Sequence, residues 1–271
     1  MMYPILLIAL TLSLAASSRA GAERATIQSF NLVHQTREAS MILTGRLMNL
    51  ETDRPRIKVE KVLKGILNDE VIIVQWDRIR TFEMNPVRVA AGETLLLFLN
   101  ATGPPYTPHD PNRSIFKLEP SWGDAYLEAI RSILTFDATM TKTARTTALV
   151  EMLNSSNPFR QGAAAEIIAQ TTPALGNFRT PPLIPSLQQL VQSTEHFVAS
   201  LSIRALGRIG TRSVVPILIS LFGSPHAPIA EQAYYALKTI IQTDLTFDPK
   251  APHKERTQAM QAWQAWWKEK R

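Results

Sequence analysis

The chain has 271 residues, of which 45% are hydrophobic and 19% charged, and its formal net charge is +6. This length favours two domains, and the balanced composition excludes a collagen-like, wholly disordered or multi-spanning chain. There is no cysteine, which excludes disulfides, thiolate zinc sites and thiol catalysis.

The first predicted element is a secretory signal peptide at residues 1–22. An apolar run from Ile5 to Ala16 is followed by small residues, and residues 18–20 or 20–22 suit a signal peptidase. The run is shorter than the ~20 residues of a membrane-spanning helix, and no lysine or arginine precedes it. We therefore expect a periplasmic or secreted protein without a stable membrane span after cleavage. An uncleaved membrane anchor is the alternative.

Residues 23–120 have the pattern of a small β-domain. The continuously apolar stretch Leu95–Leu99 predicts a central strand, and Gly65 and Gly92 predict turns. Five or six short antiparallel strands in this space indicate a small barrel or sandwich. The runs of strand length are Met41–Leu50, Ile57–Leu63, Val71–Trp76, Thr94–Leu99 and Ser114–Leu118.

Three of these segments carry a family resemblance. Val59–Gly65, Val71–Val74 and Ala91–Leu99 together resemble a bacterial extracytoplasmic β-module that is similar to the OB-like barrel of netrin/TIMP-type domains. The resemblance implies a structural β-domain. The metalloprotease-inhibiting members of that superfamily use an N-terminal cysteine, and this chain has none. We therefore do not expect this chain to inhibit metalloproteases.

Charge and hydrophobic period both change near the middle of the chain. Residues 23–137 contain 14 Lys/Arg and 15 Asp/Glu, whereas residues 138–271 contain 14 Lys/Arg and 8 Asp/Glu. Such asymmetry indicates two domains with different surfaces. We interpret residues 121–141 as a linker and helix, and residues 142–271 as a helical domain.

The helical domain contains an internal repeat. Pro185–Val191 aligns with Pro216–Phe222, and Val198–Gly207 aligns with Ile229–Lys238, both at an offset of 31 residues. A looser copy precedes them, with its first helix at Ala148–Leu153 and its second at Phe159–Ala169, and an insertion at Thr171–Pro182 follows it. Each unit is a pair of short helices that needs a neighbour to bury its apolar face.

These units resemble HEAT repeats of the short bacterial type called PBS-lyase HEAT-like. The resemblance implies an α-solenoid of about three helix pairs, with a tryptophan-rich end as its cap, so the expected fold class is α+β multidomain. The lyase chemistry of the family's name is not expected in an exported chain without cysteine. The residues that carry the match are Val198, Ala205, Leu206, Gly207, Ile209 and Gly210, then Ile229, Ala233, Ala236, Leu237 and Ile240.

No motif for catalysis or metal binding is present. The five histidines are scattered along the sequence, without a His-x-x-x-His or a His-Glu-x-x-His pattern for zinc. There is also no Gly-x-Ser-x-Gly elbow, no glycine-rich phosphate loop and no calcium loop. We predict no catalytic residue, no cofactor and no metal. An enzyme of unrecognised type remains a third possibility.

One row of residues is a candidate binding surface. Arg204 and Arg208 are i, i+4 neighbours, and the repeat register aligns them with Tyr235 and Thr239. Second helices line the concave face of a HEAT array, so the row predicts a basic groove for another protein with an acidic segment. A solvated helix face explains the same row. A recognition site at Trp266 is a further alternative.

These observations lead to a functional prediction. We expect an exported, non-catalytic protein-binding scaffold or adaptor, because solenoids offer extended surfaces and few fixed pockets. Export argues against nucleic-acid binding. The alternative is an accessory or inhibitor-like module of an envelope enzyme that acts through the β-domain.

Overall fold

The computed structural model of the chain describes residues 31–49, 54–76, 89–110, 114–139, 141–171, 182–243 and 245–270. The predicted signal peptide at residues 1–22 and residues 172–181 of the predicted insertion lie outside this part of the chain. Internal contacts divide the chain into two compact units, Met1–Glu119 and Pro120–Arg271.

The first unit combines one short helix with an antiparallel sheet. The helix was not anticipated from the sequence, and the Nζ of Lys64 donates hydrogen bonds to the carbonyls of Thr36 and Arg37 near its end, at 2.9 and 2.7 Å. The elements in chain order are α1 (Leu32–Glu38), β1 (Met41–Leu47), β2 (Arg56–Lys64), β3 (Val71–Ile73), β4 (Thr94–Asn100), β5 (Thr107–Pro108) and β6 (Ile115–Lys117).

The sheet curls into a half-barrel. Its strand order is β3-β2-β1-β4-β5, and β6 also pairs with β4. A parallel bridge between Val74 and Tyr106 joins segments from the two ends of this order, with Tyr106 N donating to Ile73 O at 2.8 Å. The sequence predicted either a small barrel or a sandwich. The described residues form a single curled antiparallel sheet, which is half of a barrel.

Strand β4 is central, as its apolar sequence predicts. It pairs with β1 on one side and with β5 and β6 on the other, and its residues Leu95–Leu99 are all fully buried. Leu95, Leu97 and Leu99 belong to a core that includes Trp76. Alternate residues of the strand face opposite sides of the sheet, and Phe98 makes an edge-to-face contact with Phe116.

Two predicted turns contain glycines with positive φ. Gly65 follows β2 with φ 88°, and Gly92 precedes β4 with φ 92°. Side chains other than glycine rarely adopt this conformation. The structure confirms both positions as turns.

The second unit is helical throughout its described part. Its helices are α2 (Gly123–Ala138), α3 (Lys142–Leu153), α4 (Pro158–Gln170), α5 (Leu183–Leu190), α6 (His196–Ile209), α7 (Val215–Ser220), α8 (Ala227–Lys238) and α9 (His253–Glu269). Short 3-10 turns at Arg212–Val214 and Leu221–Gly223 flank α7.

Three pairs of consecutive helices, α3–α4, α5–α6 and α7–α8, follow the predicted repeat. The second helices pack against one another in order, α4 against α6 and α6 against α8, and α3 packs against α5. Helix α2 packs against α4, and α9 packs against α7. Residues Gly162–Ile168 of α4 are buried, since neighbours cover this helix on several sides.

Aromatic packing joins α2 to the first helix pair. The ring of Tyr126 lies 5.1 Å from that of Phe159, centroid to centroid. Burial, together with the nearby carboxylate of Glu166, raises the pKa of Tyr126 well above its usual value. The phenol therefore stays neutral and serves as part of the core.

Candidate protein-binding face

Two small residues allow helices α6 and α8 to approach closely. A Cβ atom added to Gly207 would lie 2.8 Å from the Cβ of Ala236 and 3.0 Å from its Cα, so only a hydrogen fits there. The side chains that follow Gly207 and precede Ala236 are Arg208 and Tyr235. The predicted basic position on α6 and the aromatic position on α8 are therefore each adjacent in sequence to this close contact.

Both predicted arginines are exposed. Arg204 and Arg208 lie one helical turn apart on α6. The Nε of Arg208 also donates a hydrogen bond to the carbonyl of Thr171, the residue that ends α4, at 2.8 Å. A cation is favourable there because the C-terminal end of a helix carries partial negative charge.

The two predicted residues on α8, Tyr235 and Thr239, have different roles. Tyr235 is 57% exposed, and its ring centroid lies 6.0 Å from that of Tyr234. The hydroxyl of Thr239 instead donates hydrogen bonds to the carbonyls of Ala236 and Gly207, at 2.7 and 3.2 Å. Thr239 therefore ties the end of α8 to α6, whereas Tyr235 presents an aromatic ring to solvent.

One further cation on this surface was not predicted from the sequence. Lys238 is exposed on α8, three residues after Tyr235, and its Nζ lies 5.9 Å from the ring centroid of Tyr234. The residue that aligns with Lys238 in the preceding repeat, 31 positions earlier, is Gly207. An alignment of the two repeats therefore does not indicate a cation at this position. The helical i, i+3 spacing from Tyr235 is the signal that places it on the same side.

We call Arg204, Arg208, Tyr235 and Lys238 the basic face. Within the described ranges, none of its three cations forms an ion pair with a carboxylate. The face therefore presents positive charge that its own surroundings leave uncompensated. Tyrosine and arginine are also both enriched in protein interfaces.

The tryptophan-rich end of the helical unit is mostly buried. Trp263 and Trp267 lie inside, and the ring of Trp263 meets that of Phe222 edge to face at 5.5 Å. Phe222 in turn stacks on Phe247 at 4.1 Å. Trp266 is half-buried. This aromatic cluster covers the last helix pair, and it offers a partner much less surface than Tyr235 does.

Two other kinds of site are absent from the part of the chain that the structure describes. No group of three or more histidine, aspartate or glutamate side chains is arranged to hold a metal ion there. In the same residues, no helix has the length and apolar character needed to cross a membrane.

Comparison with known proteins gives one family match. The HEAT repeats family matches residues 146–238, which contain most of α3 and all of the helices from α4 to α8. No curated protein matches the chain. The match supports the predicted HEAT repeats, and the curled antiparallel sheet of the first unit agrees loosely with the predicted OB-like module. HEAT repeats commonly mediate protein interaction, and the basic face lies within the matched segment.

Proposed function

We propose that this protein is a non-catalytic scaffold or adaptor that binds a partner protein through the basic face. The observation that carries the proposal is a set of three exposed cations on the neighbouring helices α6 and α8 that have no carboxylate partner among the described residues, together with the exposed Tyr235. The partner would contribute an acidic segment. Its carboxylates would pair with Arg204 and Arg208 while an apolar side chain packs on Tyr235.

The proposal has a physical basis in the charge distribution. Residues 138–271 carry all of the positive excess of the chain that follows the predicted leader. A surface with one sign of charge attracts an oppositely charged partner and raises the rate of association. Because the face is exposed, we expect added salt to weaken this attraction.

The proposal includes an architecture and a location. The three helix pairs would stack as an α-solenoid whose second helices form the binding surface. The half-barrel would be an OB-like module of the netrin/TIMP type with a structural role. Residues 1–22 would direct export to the periplasm or the outside of the cell. N-terminal sequencing of the protein from its host tests the last point, and an intact Met1 in a cytoplasmic fraction would contradict it.

Charge reversal on the basic face tests the function. In an affinity capture from an envelope fraction, we expect R204E/R208E to retain less than about a tenth of the partner that the unchanged chain retains. The fold should persist, because substitutions at exposed positions usually change stability by about 0.5 kcal/mol or less. The matched control is K254E/K268E, which makes the same change in net charge at exposed positions of α9. Equal loss in both variants would show a nonspecific effect of charge and would reject the proposed face.

One observation favours the alternative binding surface on the first unit. Ile66, which follows the turn at Gly65, is 89% exposed. A large apolar side chain this exposed on a loop tip can anchor a partner. If I66S abolishes capture while R204E/R208E does not, the half-barrel carries the function as an accessory module of another envelope protein.

A further inference from the structure

The helical unit contains a pocket at the end of α6 and α8 opposite to Arg208 and Thr239. Its volume is about 520 Å³, which lies within the usual range of small-molecule sites. The buried side chains of Val191, Leu221 and Ile229 are part of its lining. The pocket can therefore hold the apolar body of a small ligand.

Two histidines that are far apart in the sequence lie side by side at this pocket. His196 is the first residue of α6, and His226 immediately precedes α8. Their ring centroids are 4.2 Å apart, with an angle of 55° between the ring planes, and both residues are exposed. The repeat brings the two together, because each stands at the start of the second helix of its pair.

Two serines supply further polar groups to the lining. The Oγ of Ser193 accepts a hydrogen bond from the backbone N–H of Glu195 at 3.2 Å, and the Oγ of Ser224 accepts one from that of His226 at 3.2 Å. The two serines are equivalent in the repeat of 31 residues. A hydroxyl that accepts in this way keeps its own proton for donation. Each serine can therefore donate a hydrogen bond to an acceptor in the pocket.

Electrostatics favours an anionic ligand over a cationic one. Two protonated imidazoles this close repel each other, because their charges are in direct contact. An anion at the edges of both rings offsets this repulsion and pairs with both charges. Proton uptake by the imidazoles and binding of the anion therefore strengthen each other.

We propose that the pocket lined by His196 and His226 binds a carboxylate that is attached to a short apolar chain, and that acid strengthens this binding. The carboxylate lies at the edges of the two imidazoles, because ring centroids 4.2 Å apart leave no room between the rings. It accepts hydrogen bonds from ring N–H groups and from the serine hydroxyls. The apolar chain lies against Val191, Leu221 and Ile229. The site is separate from the basic face and does not depend on the proposed function.

Other charged groups surround the histidine pair. His253 Nε2 lies 2.9 Å from the carbonyl of Gly223, and Arg256 donates to the carbonyl of Ser224 at 2.7 Å. The titratable residues on the elements around the pair, besides the pair itself, are Glu195, Arg204, Arg208, Glu231, Tyr234, Tyr235, Lys238, His253, Lys254, Glu255, Arg256, Lys268 and Glu269.

Calorimetric titration of the full chain with hexanoate tests the site. We expect binding to be about tenfold tighter or more at pH ~5.5 than at pH ~7.5, with proton uptake on binding. The double variant H196A/H226A should lose the dependence on pH and most of the affinity. H34A is the control, because His34 is an exposed histidine of the other unit and should leave binding unchanged.

Three further probes separate the outcomes. A short peptide with one glutamate between two leucines tests whether a protein segment can supply the carboxylate. If the peptide binds more tightly than hexanoate, the ligand is a segment of a partner protein. If it binds more weakly, the ligand is a free acid. Hexanol lacks the charge, so binding equal to that of hexanoate would overturn the proposal. Zinc binding at micromolar concentration that H196A/H226A abolishes would show a cation site instead, and would also overturn it.

Discussion

Gly207 determines how closely helices α6 and α8 pack at the basic face. We expect G207A to destabilise the protein by about 1–3 kcal/mol, because the added methyl group overlaps Ala236 and forces the helices apart. Away from a contact, the same change inside a helix stabilises by roughly 0.5–1 kcal/mol. Chemical denaturation measures the sign directly.

A compensating substitution makes this prediction specific. The double variant G207A/A236G restores the space for one methyl group at the contact, so it should recover part of the lost stability. Recovery is expected despite the added glycine, which costs roughly 0.5–1 kcal/mol in a helix. If G207A is as stable as the unchanged chain, the two helices do not pack as described.

Arg256 is a buried cation that holds the last helix in place. It is 4% exposed, and its guanidinium donates hydrogen bonds to the carbonyls of Ala251 and Ser224, both at 2.7 Å. We expect R256M to lower the free energy of unfolding by about 2–4 kcal/mol, because both carbonyls lose a charged donor. The neighbouring K254M changes an exposed side chain of the same helix and should cost about 0.5 kcal/mol or less. Equal effects of the two substitutions, measured by thermal unfolding, would contradict the buried role of Arg256.

At the scale of elements, Asn157 links the start of α4 to α2. Its Oδ1 accepts a hydrogen bond from the backbone N–H of Phe159 at 2.9 Å, as an N-cap does. Its Nδ2 donates to the carbonyl of Ala125 and to the carboxylate of Glu128, at 2.8 and 2.9 Å. The same carboxylate accepts from Arg160 at 2.9 Å. One side chain therefore begins a helix and fixes its neighbour.

We expect N157A to cost about 2–3 kcal/mol, since it removes both the cap and the two hydrogen bonds that Nδ2 donates to α2. N157D keeps the capping oxygen but places a second carboxylate beside Glu128, so it should also destabilise. T141A is the matched control, because Thr141 caps α3 in an exposed position, through one bond of 3.2 Å to Ala144 N. Its cost should be about 0.5–1 kcal/mol. A stability of N157D equal to that of the unchanged chain would show that only the cap matters.

The pattern of elements was largely predictable, because it depends on local periodicity. The strand β4 and the turns at Gly65 and Gly92 follow from neighbouring residues alone, and the helix pairs follow from the repeat. Helix α1 and strand β5 were missed, since both are short and their pattern is weak. Local sequence carries little information for elements of this length.

Side-chain roles within the predicted face were less predictable, because they depend on residues that are distant in sequence. The bond from Thr239 to Gly207 spans 32 positions, and that from Arg208 to Thr171 spans 37. The histidines that appear scattered in sequence have adjacent rings in space for the same reason. The repeat register placed Arg204 and Tyr235 on neighbouring helices, but only the packing shows which side chains remain exposed.

At the scale of the whole molecule, the chain combines two units with different surfaces. The half-barrel unit, residues 1–119, has 14 Lys/Arg and 12 Asp/Glu, whereas the helical unit, residues 120–271, has 15 Lys/Arg and 11 Asp/Glu and is the more basic of the two. The cations of the basic face lie in the segment that matches HEAT repeats. We therefore expect the helical unit to recognise an acidic partner.

Photo-cross-linking in the native host tests that claim most directly. A benzoylphenylalanine residue is introduced in place of Tyr235, Gln258 or Ile66, which are exposed positions on the basic face, on α9 and on the half-barrel unit. We expect one adduct of defined mass from position 235 and none from position 258 or 66. The yield of the adduct from position 235 should fall at about 0.5 M salt, where charges are strongly screened. An adduct from position 66 or 258 without one from position 235 would contradict this expectation.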